Sequence, residues 1–241
     1  MCSSDLFHLE ISLGYQHRGV ERAMVGGPSP RSNHYVETLA GGAGTDVVTL
    51  TTAVTGVTVN LGGGSDSLAL ASGVNVVTVQ NVETILGGAS ADTVTLGTQV
   101  AGGTVNLAGG ADTLVLGAFD NTVSVIGVET ITGGASIDLV TLSASLTNGV
   151  IDLGASNDGL VLSNAGNTVT VSNTETITGG TAADVVTLAS SLTSGSLSLG
   201  AGNDSLTLAA GGNTITLSAI ETVVGGAGSD VVTLGAAQTS G

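Results

Sequence analysis

Residues 36–50 read VETLAGGAGTDVVTL, and this stretch returns as VETILGGASADTVTL at 82–96, VETITGGASIDLVTL at 128–142, TETITGGTAADVVTL at 174–188 and IETVVGGAGSDVVTL at 220–234. Self-similarity at one fixed step is the signature of a repeat architecture. The step is 46 residues, carried by Glu37, Glu83, Glu129, Glu175 and Glu221. Within each copy the second and fourth residues after Asp are Val or Leu, with Thr, Ser, Ala or Val between them. Alternation with period two indicates a strand with one face inward. Further strands are expected at 57–61, 76–79 and 82–85 and their equivalents, so strands recur about every ten residues. A sandwich gives its strands inequivalent places, whereas a solenoid makes every coil equivalent and tolerates strict repetition. The fold class expected is all-β, a right-handed parallel β-solenoid of the β-roll or β-helix kind, in 46-residue repeats of about two coils each. The handedness follows the general rule for parallel crossovers.

The units run 36–81, 82–127, 128–173 and 174–219, with a partial unit at 220–241. Because the pattern stops in mid-unit, further repeats are expected in a longer parent. Residues 1–35 form a non-repeat segment that holds both prolines and every Lys, Arg and His; it is read as an artefactual or disordered flank.

Two turns, Gly41-Gly42-Ala43-Gly44-Thr45-Asp46 and Gly225-Gly226-Ala227-Gly228-Ser229-Asp230, fit Gly-Gly-x-Gly-x-Asp. This pattern resembles the nonapeptide of the RTX, or haemolysin-type, calcium-binding repeat. The resemblance implies a parallel β-roll, Ca2+ held between turns, and type I secretion to the cell surface or beyond. The third glycine stands at Gly44, Gly64, Gly110, Gly202 and Gly228 but is replaced by Ser90, Ser136, Ser156 and Ala182 elsewhere. The turns are also isolated, where RTX nonapeptides follow one another directly.

The residues support the same cation without the family. Gly/Asp turns lie 20 and 26 residues apart in alternation, which would set Asp46, Asp66, Asp92, Asp112, Asp138, Asp158, Asp184, Asp204 and Asp230 along one edge. Stacked coils are about 4.8 Å apart. Carboxylates at that spacing repel by roughly 3 kcal/mol at an effective dielectric near 20. A hard divalent cation with oxygen ligands relieves this, using Asp and the carbonyls of Gly-rich turns. The strongest candidates are Gly42, Gly44, Asp46 and Asp66, with Gly64, and Gly226, Gly228 and Asp230; the alternative is turn aspartates solvated without metal. The Glu series reads as a solvated face, with a second cation row as the alternative. Asn75, Asn121, Asn167 and Asn213 read as turn caps in an amide stack, and Thr49, Thr95, Thr141, Thr187 and Thr233 as ordinary outward strand residues.

Charge excludes other classes. The net charge is −16, and from Val36 onward there are carboxylates but no Lys, Arg or His. Nucleic acid and anionic membrane are poor partners for such a surface. Calcium ions are the natural partner, with any cell-surface or self-association partner left open. No apolar run is long enough for a membrane helix, and the single Cys2 allows no internal disulfide. The repeats lack the bases and nucleophiles that catalysis uses, so no enzyme is expected. The function expected is an extracellular structural repeat region, a stalk, adhesin or RTX spacer, whose folding Ca2+ promotes. A calcium-independent β-helical adhesin passenger is one alternative. The other is the RTX tail of a secreted hydrolase.

Overall fold

The computed structural model describes residues 38–235, so the reading of 1–35, and Glu37 with it, falls outside the described residues. The described chain is all β. The first repeat contributes β1 (Thr38–Ala40), β2 (Val47–Thr49), β3 (Thr55–Asn60), β4 (Ser67–Ala69) and β5 (Val76–Gln80). The second contributes β6 (Thr84–Leu86), β7 (Thr93–Leu96), β8 (Ala101–Asn106), β9 (Thr113–Val115) and β10 (Thr122–Ile126). The third gives β11 (Thr130–Gly134), β12 (Leu139–Leu142), β13 (Thr147–Gly154), β14 (Gly159–Val161) and β15 (Thr168–Ser172). The fourth gives β16 (Thr176–Thr178), β17 (Val185–Leu188), β18 (Gly195–Ser198), β19 (Ser205–Thr207) and β20 (Thr214–Ser218), and the partial unit adds β21 (Thr222–Val224) and β22 (Val231–Leu234).

Odd-numbered strands form one 11-stranded sheet and even-numbered strands another, each in sequence order. Every pairing is parallel, as in Val94↔Leu114↔Ile131 on the first sheet and Val140↔Leu160↔Ile177 on the second. One coil is therefore one odd and one even strand, and the fold is the parallel β-solenoid expected. A 46-residue repeat holds five strands, which refines about two coils to two and a half. That odd number has a consequence for symmetry: equivalent residues of successive repeats fall on opposite sheets. Thr49 lies on β2 but Thr95 on β7, so the Thr series divides between two faces instead of forming one row.

Inward residues meet between the sheets in a thin aliphatic layer. Leu114, Ile131, Ile151, Leu160 and Ile177 are at most 1% exposed. Val48, Leu50, Leu68, Leu70, Leu206 and Leu208, the second and fourth residues after their Asp, are also buried. Val232 and Leu234 hold the same places in β22 yet are 41% and 61% exposed, because no coil covers them among the described residues. Side chains of two sheets interdigitate in a layer about 10 Å thick, which Leu, Val and Ile fill without aromatics.

The turns before Asp come in two conformations, and this explains the replaced glycines. In turns ending at Asp66, Asp112, Asp158 and Asp204, the residue two before Asp has positive φ: Gly64 at 145°, Gly110 at 142°, Ser156 at 116° and Gly202 at 143°. In the other turns Ser90, Ser136 and Ala182 are not in that region, so three of the four replacements fall where no glycine is required. Ser156 alone is strained, since a Cβ disfavours this backbone. Ser156→Gly is expected to raise stability by about 1 kcal/mol, the strain relieved less the entropy glycine adds to the unfolded chain. Urea unfolding of the two proteins checks this, and a loss of stability would mean that the Ser156 Oγ donation to the Ala135 carbonyl, 3.0 Å, outweighs the strain.

Candidate metal centre

The turns that carry Asp do not lie along one edge. Asp46 and Asp66 precede β2 and β4, whereas Asp92 and Asp112 precede β7 and β9. Asp138 and Asp158 return to the first edge, Asp184 and Asp204 to the second, and Asp230 to the first. The expectation of one nine-residue Asp edge is corrected by strand parity. The 20-residue step is one coil, but the 26-residue step crosses three strands and changes edge. The Asp residues are thus stacked in pairs, and each pair is extended by residues of the other series.

Along each edge four residues make a stack, in the order Asn, Asp, Asp, Glu. In the stack that begins at Asn121, the Asn121 N–H donates to Asp138 Oδ1 at 3.0 Å and the Asp138 N–H to Asp158 Oδ1 at 2.7 Å. The Asp158 N–H then donates to Glu175 Oε2 at 2.9 Å. The stacks at Asn75–Asp92–Asp112–Glu129 and Asn167–Asp184–Asp204–Glu221 repeat this order on the other edge. Asp46–Asp66–Glu83 and Asn213–Asp230 are the partial stacks at the two ends. Each side-chain oxygen satisfies the N–H of the preceding coil where the chain turns and the ladder cannot reach, as buried backbone groups require. The neutral Asn heads the stack. Asn121 Oδ1 accepts the Val100 N–H at 3.0 Å, while its amide donates to the Phe119 carbonyl at 2.7 Å, the Leu116 carbonyl at 3.2 Å and Asp138 Oδ1 at 2.9 Å.

The Asn residues therefore cap turn carbonyls as expected, but they stack on Asp and not on one another. The Glu residues are not a separate solvated face. They close the Asp stacks by accepting a backbone N–H, and their remaining surface is half-buried at Glu129 and Glu175 and exposed at Glu83 and Glu221. The signal for this in the sequence was the 17-residue interval from Asp66 to Glu83, one coil like the 20-residue interval from Asp46 to Asp66.

The two turn conformations give the two aspartates of a pair different surroundings. At the first Asp, the turn folds back on the carboxylate: the Gly42 N–H donates to Asp46 Oδ2 at 2.9 Å and the Gly88 N–H to Asp92 Oδ2 at 3.2 Å. The Gly180 N–H approaches Asp184 Oδ2 at a longer 3.5 Å. At the second Asp, the residue in that place has positive φ, 90° at Gly62 and 92° at Gly154. Its N–H turns away, to Asn60 Oδ1 at 3.1 Å and to Asp152 Oδ1 at 3.2 Å respectively. Glycine is needed at Gly62 on two counts, its φ and a Cβ that would run into the Gly42 carbonyl.

As a result Oδ2 of Asp66, Asp112, Asp158 and Asp204 is buried without a hydrogen-bond partner, and the residues themselves are at most 2% exposed. Burial, first of all, pushes all four carboxyls above the usual range, opposed by the N–H of the preceding Asp and aided by the charges on either side. Asp158 is pushed to about 6, with Asp138 and Glu175 as the flanking charges. Asp138 is raised as well. Burial raises it, Asn121 and the nearby Gly134 N–H lower it, but Gly134 does not close a hydrogen bond to its Oδ2. Asp230 is lowered, chiefly by the Asn213 amide and N–H.

A buried carboxylate oxygen without a donor is costly unless a proton or a cation meets it. The four second-Asp turns therefore fit a hard cation, with oxygen the only donor type present. The first-Asp turns at Asp46 and Asp92, whose second oxygen is already satisfied, fit one less well. Gly42, Gly44 and Asp46 stack one coil from Gly64 and Asp66, as the Gly63 N–H donates to the Gly42 carbonyl at 2.9 Å. Gly226, Gly228 and Asp230 lie in the last described turn. Among the described residues no three His, Cys, Asp or Glu side chains converge as a metal cluster, so the turns offer at most two carboxylates at one place. No described helix is long and apolar enough to cross a membrane.

The family model for the RTX calcium-binding nonapeptide repeat (4 copies) matches residues 196–215 and, again, 216–237. These stretches contain Asp204, Glu221 and Asp230, the last of the turns described above. No curated protein and no solved structure matches the chain. The matched repeats on a β-solenoid support a Ca2+-binding repeat region, and both the repeat and the fold are of a structural, not a catalytic, kind. The parallel solenoid, its Gly/Asp turns and the two matched stretches together fit an RTX-type repeat protein.

Proposed function

We propose that this chain is an extracellular structural repeat region, a stalk, adhesin segment or spacer, whose folding is promoted by Ca2+. The observation that carries this is a buried, unpartnered carboxylate oxygen that recurs in every full repeat, at Asp66, Asp112, Asp158 and Asp204, with a fifth at Asp138. The repeats contain no basic residue to compensate it. Where calcium is scarce, stacking the coils brings like charges together at low dielectric. Where it is plentiful, the Asp oxygens and the Gly-turn carbonyls gather ligands that the unfolded chain keeps apart, and binding free energy becomes folding free energy. RTX repeats are typical of secreted proteins, in keeping with a cell-surface or extracellular location. The route of export proposed with it is type I secretion, which the resemblance to RTX repeats implies.

Far-UV circular dichroism of the full chain tests this, first in chelator and then titrated with calcium against a magnesium control. The expected result is a calcium-specific change from coil to β signal that magnesium does not reproduce. A β spectrum complete in chelator and indifferent to calcium would sink the proposal. It would favour a calcium-independent β-helical passenger, a reading supported by one observation: Oδ1 of Asp66, Asp112, Asp158 and Asp204 already accepts a backbone N–H without metal.

A further inference from the structure

We infer that each 46-residue repeat carries one divalent-cation seat, formed by its second Asp and closed by the Glu of the next coil. The pairs are Asp66 with Glu83, Asp112 with Glu129, Asp158 with Glu175 and Asp204 with Glu221. This rests on the calcium reading above and narrows it, adding glutamates that lie outside every Gly/Asp turn and leaving out the five other turn aspartates.

Two independent observations converge on these pairs. Oδ2 is buried and unpartnered at all four second aspartates. The Glu above each is held in place, its Oε2 accepting the Asp N–H at 2.7, 2.8, 2.9 and 2.8 Å in chain order. That bond draws a second carboxylate over the first, in a stretch of chain without any Lys or Arg. The Glu side chains reach solvent, while the Asp Oδ2 of each pair stays buried. The two charges of the pair match one divalent ion, with turn oxygens and water completing the shell. Calcium accepts such an irregular mixed shell, while magnesium demands near-octahedral geometry and gives up water reluctantly.

The first aspartates lack these features. Asp46 and Asp92 use Oδ2 on Gly42 and Gly88. Asp138, whose Oδ2 is unpartnered, is covered by Asp158, itself buried, and not by a solvent-reaching Glu. The turns Gly41–Asp46 and Gly225–Asp230, closest to the nonapeptide pattern, are thus not the seats; their aspartates are held by N–H donors of the chain itself.

With two carboxylates per ion the affinity belongs to the weak extracellular class, a Kd of about 10⁻⁴–10⁻³ M. The test is equilibrium dialysis of the full chain against calcium, with bound metal measured by atomic emission. About four ions per chain are expected to bind. Replacing the four closers together, by Glu83→Gln, Glu129→Gln, Glu175→Gln and Glu221→Gln, should weaken binding at least about tenfold. The Gln carbonyl still accepts the Asp N–H, so the stack is kept and circular dichroism of the variant in saturating calcium should match the parent. Should the fourfold variant fail to fold, Glu129→Gln alone should lower the number bound by one. Calcium bound in undiminished number and strength by these variants overturns the seat while the calcium reading stands. About eight or nine ions per chain would do the same. No binding at millimolar calcium overturns both.

Discussion

Asn121→Asp is expected to destabilise the solenoid by about 3 kcal/mol or more at neutral pH, although it changes one atom of one side chain. The amide donates to Phe119, Leu116 and Asp138 and accepts from Val100. A carboxylate keeps the acceptor but loses all three donations. Its new oxygen would face Asp138 Oδ1, where the Asn121 amide now stands at 2.9 Å. Two buried turn carbonyls are left unpaired, and a charge is added to a stack that already holds Asp138, Asp158 and Glu175. The pH dependence has a definite sign. Burial and the neighbouring carboxylates raise the introduced carboxyl above its unfolded value near 3.9. The folded state then binds the proton more tightly, so the penalty relative to the parent is largest at pH 7 and shrinks as pH falls through the raised pKa. Once protonated, that group can again donate to Asp138. Urea unfolding of parent and variant at pH 7 and pH 5 measures this. A cost equal at both pH values would mean that the lost carbonyl caps, and not the charge, decide the effect; no cost at either would remove the stack as a determinant of the fold.

Ile131→Ala is expected to cost about 3–4 kcal/mol. Ile131 is fully buried in β11, between Leu114 and Ile151 of the adjoining coils. Both neighbours are fixed by continuous backbone pairing, so the coils cannot close over the space left behind. In a solenoid each coil contacts only its neighbours, and a weak coil interrupts the coupling along the whole array. The variant should therefore show a lower urea midpoint and a broader transition. Thr132→Ala, on the next residue and facing out, should stay within about 0.5 kcal/mol of the parent. Equal effects of the two would contradict the inward assignment of Ile131.

The contrast between Ile131 and Thr132 was legible in the sequence. Period two along VETITGGASIDLVTL separates inward from outward residues without reference to any partner strand, because successive side chains of a strand leave opposite faces. The 46-residue step made a solenoid the economical fold, and composition and charge excluded nucleic-acid binding and left cations. These follow from local geometry or from sums over the chain.

What lay on an edge with what was a different matter. Between Asp66 and Asp92 the chain contains β4, β5 and β6, and the intervening turns at Asn75 and Glu83 carry no Gly-x-Asp signal. Reading Gly/Asp turns as the only corners gave one coil where the chain makes one and a half. The parity of five strands then carried each repeat to the opposite edge, turned one Asp row into pairs, and joined the Asn, Asp and Glu series into single stacks. Nor could spacing separate the two aspartates of a pair. Both follow similar Gly-rich turns, and only the folded backbone shows the Gly42 N–H turned toward Asp46 and the Gly62 N–H turned toward Asn60. The sequence by itself determined the strand period, the inward residues and the acidic oxygen-only chemistry, because these depend on the order of side chains along one strand. Tertiary structure alone decided which carboxylates are satisfied and which are not, because that depends on where the N–H groups of another coil and of a folded turn point.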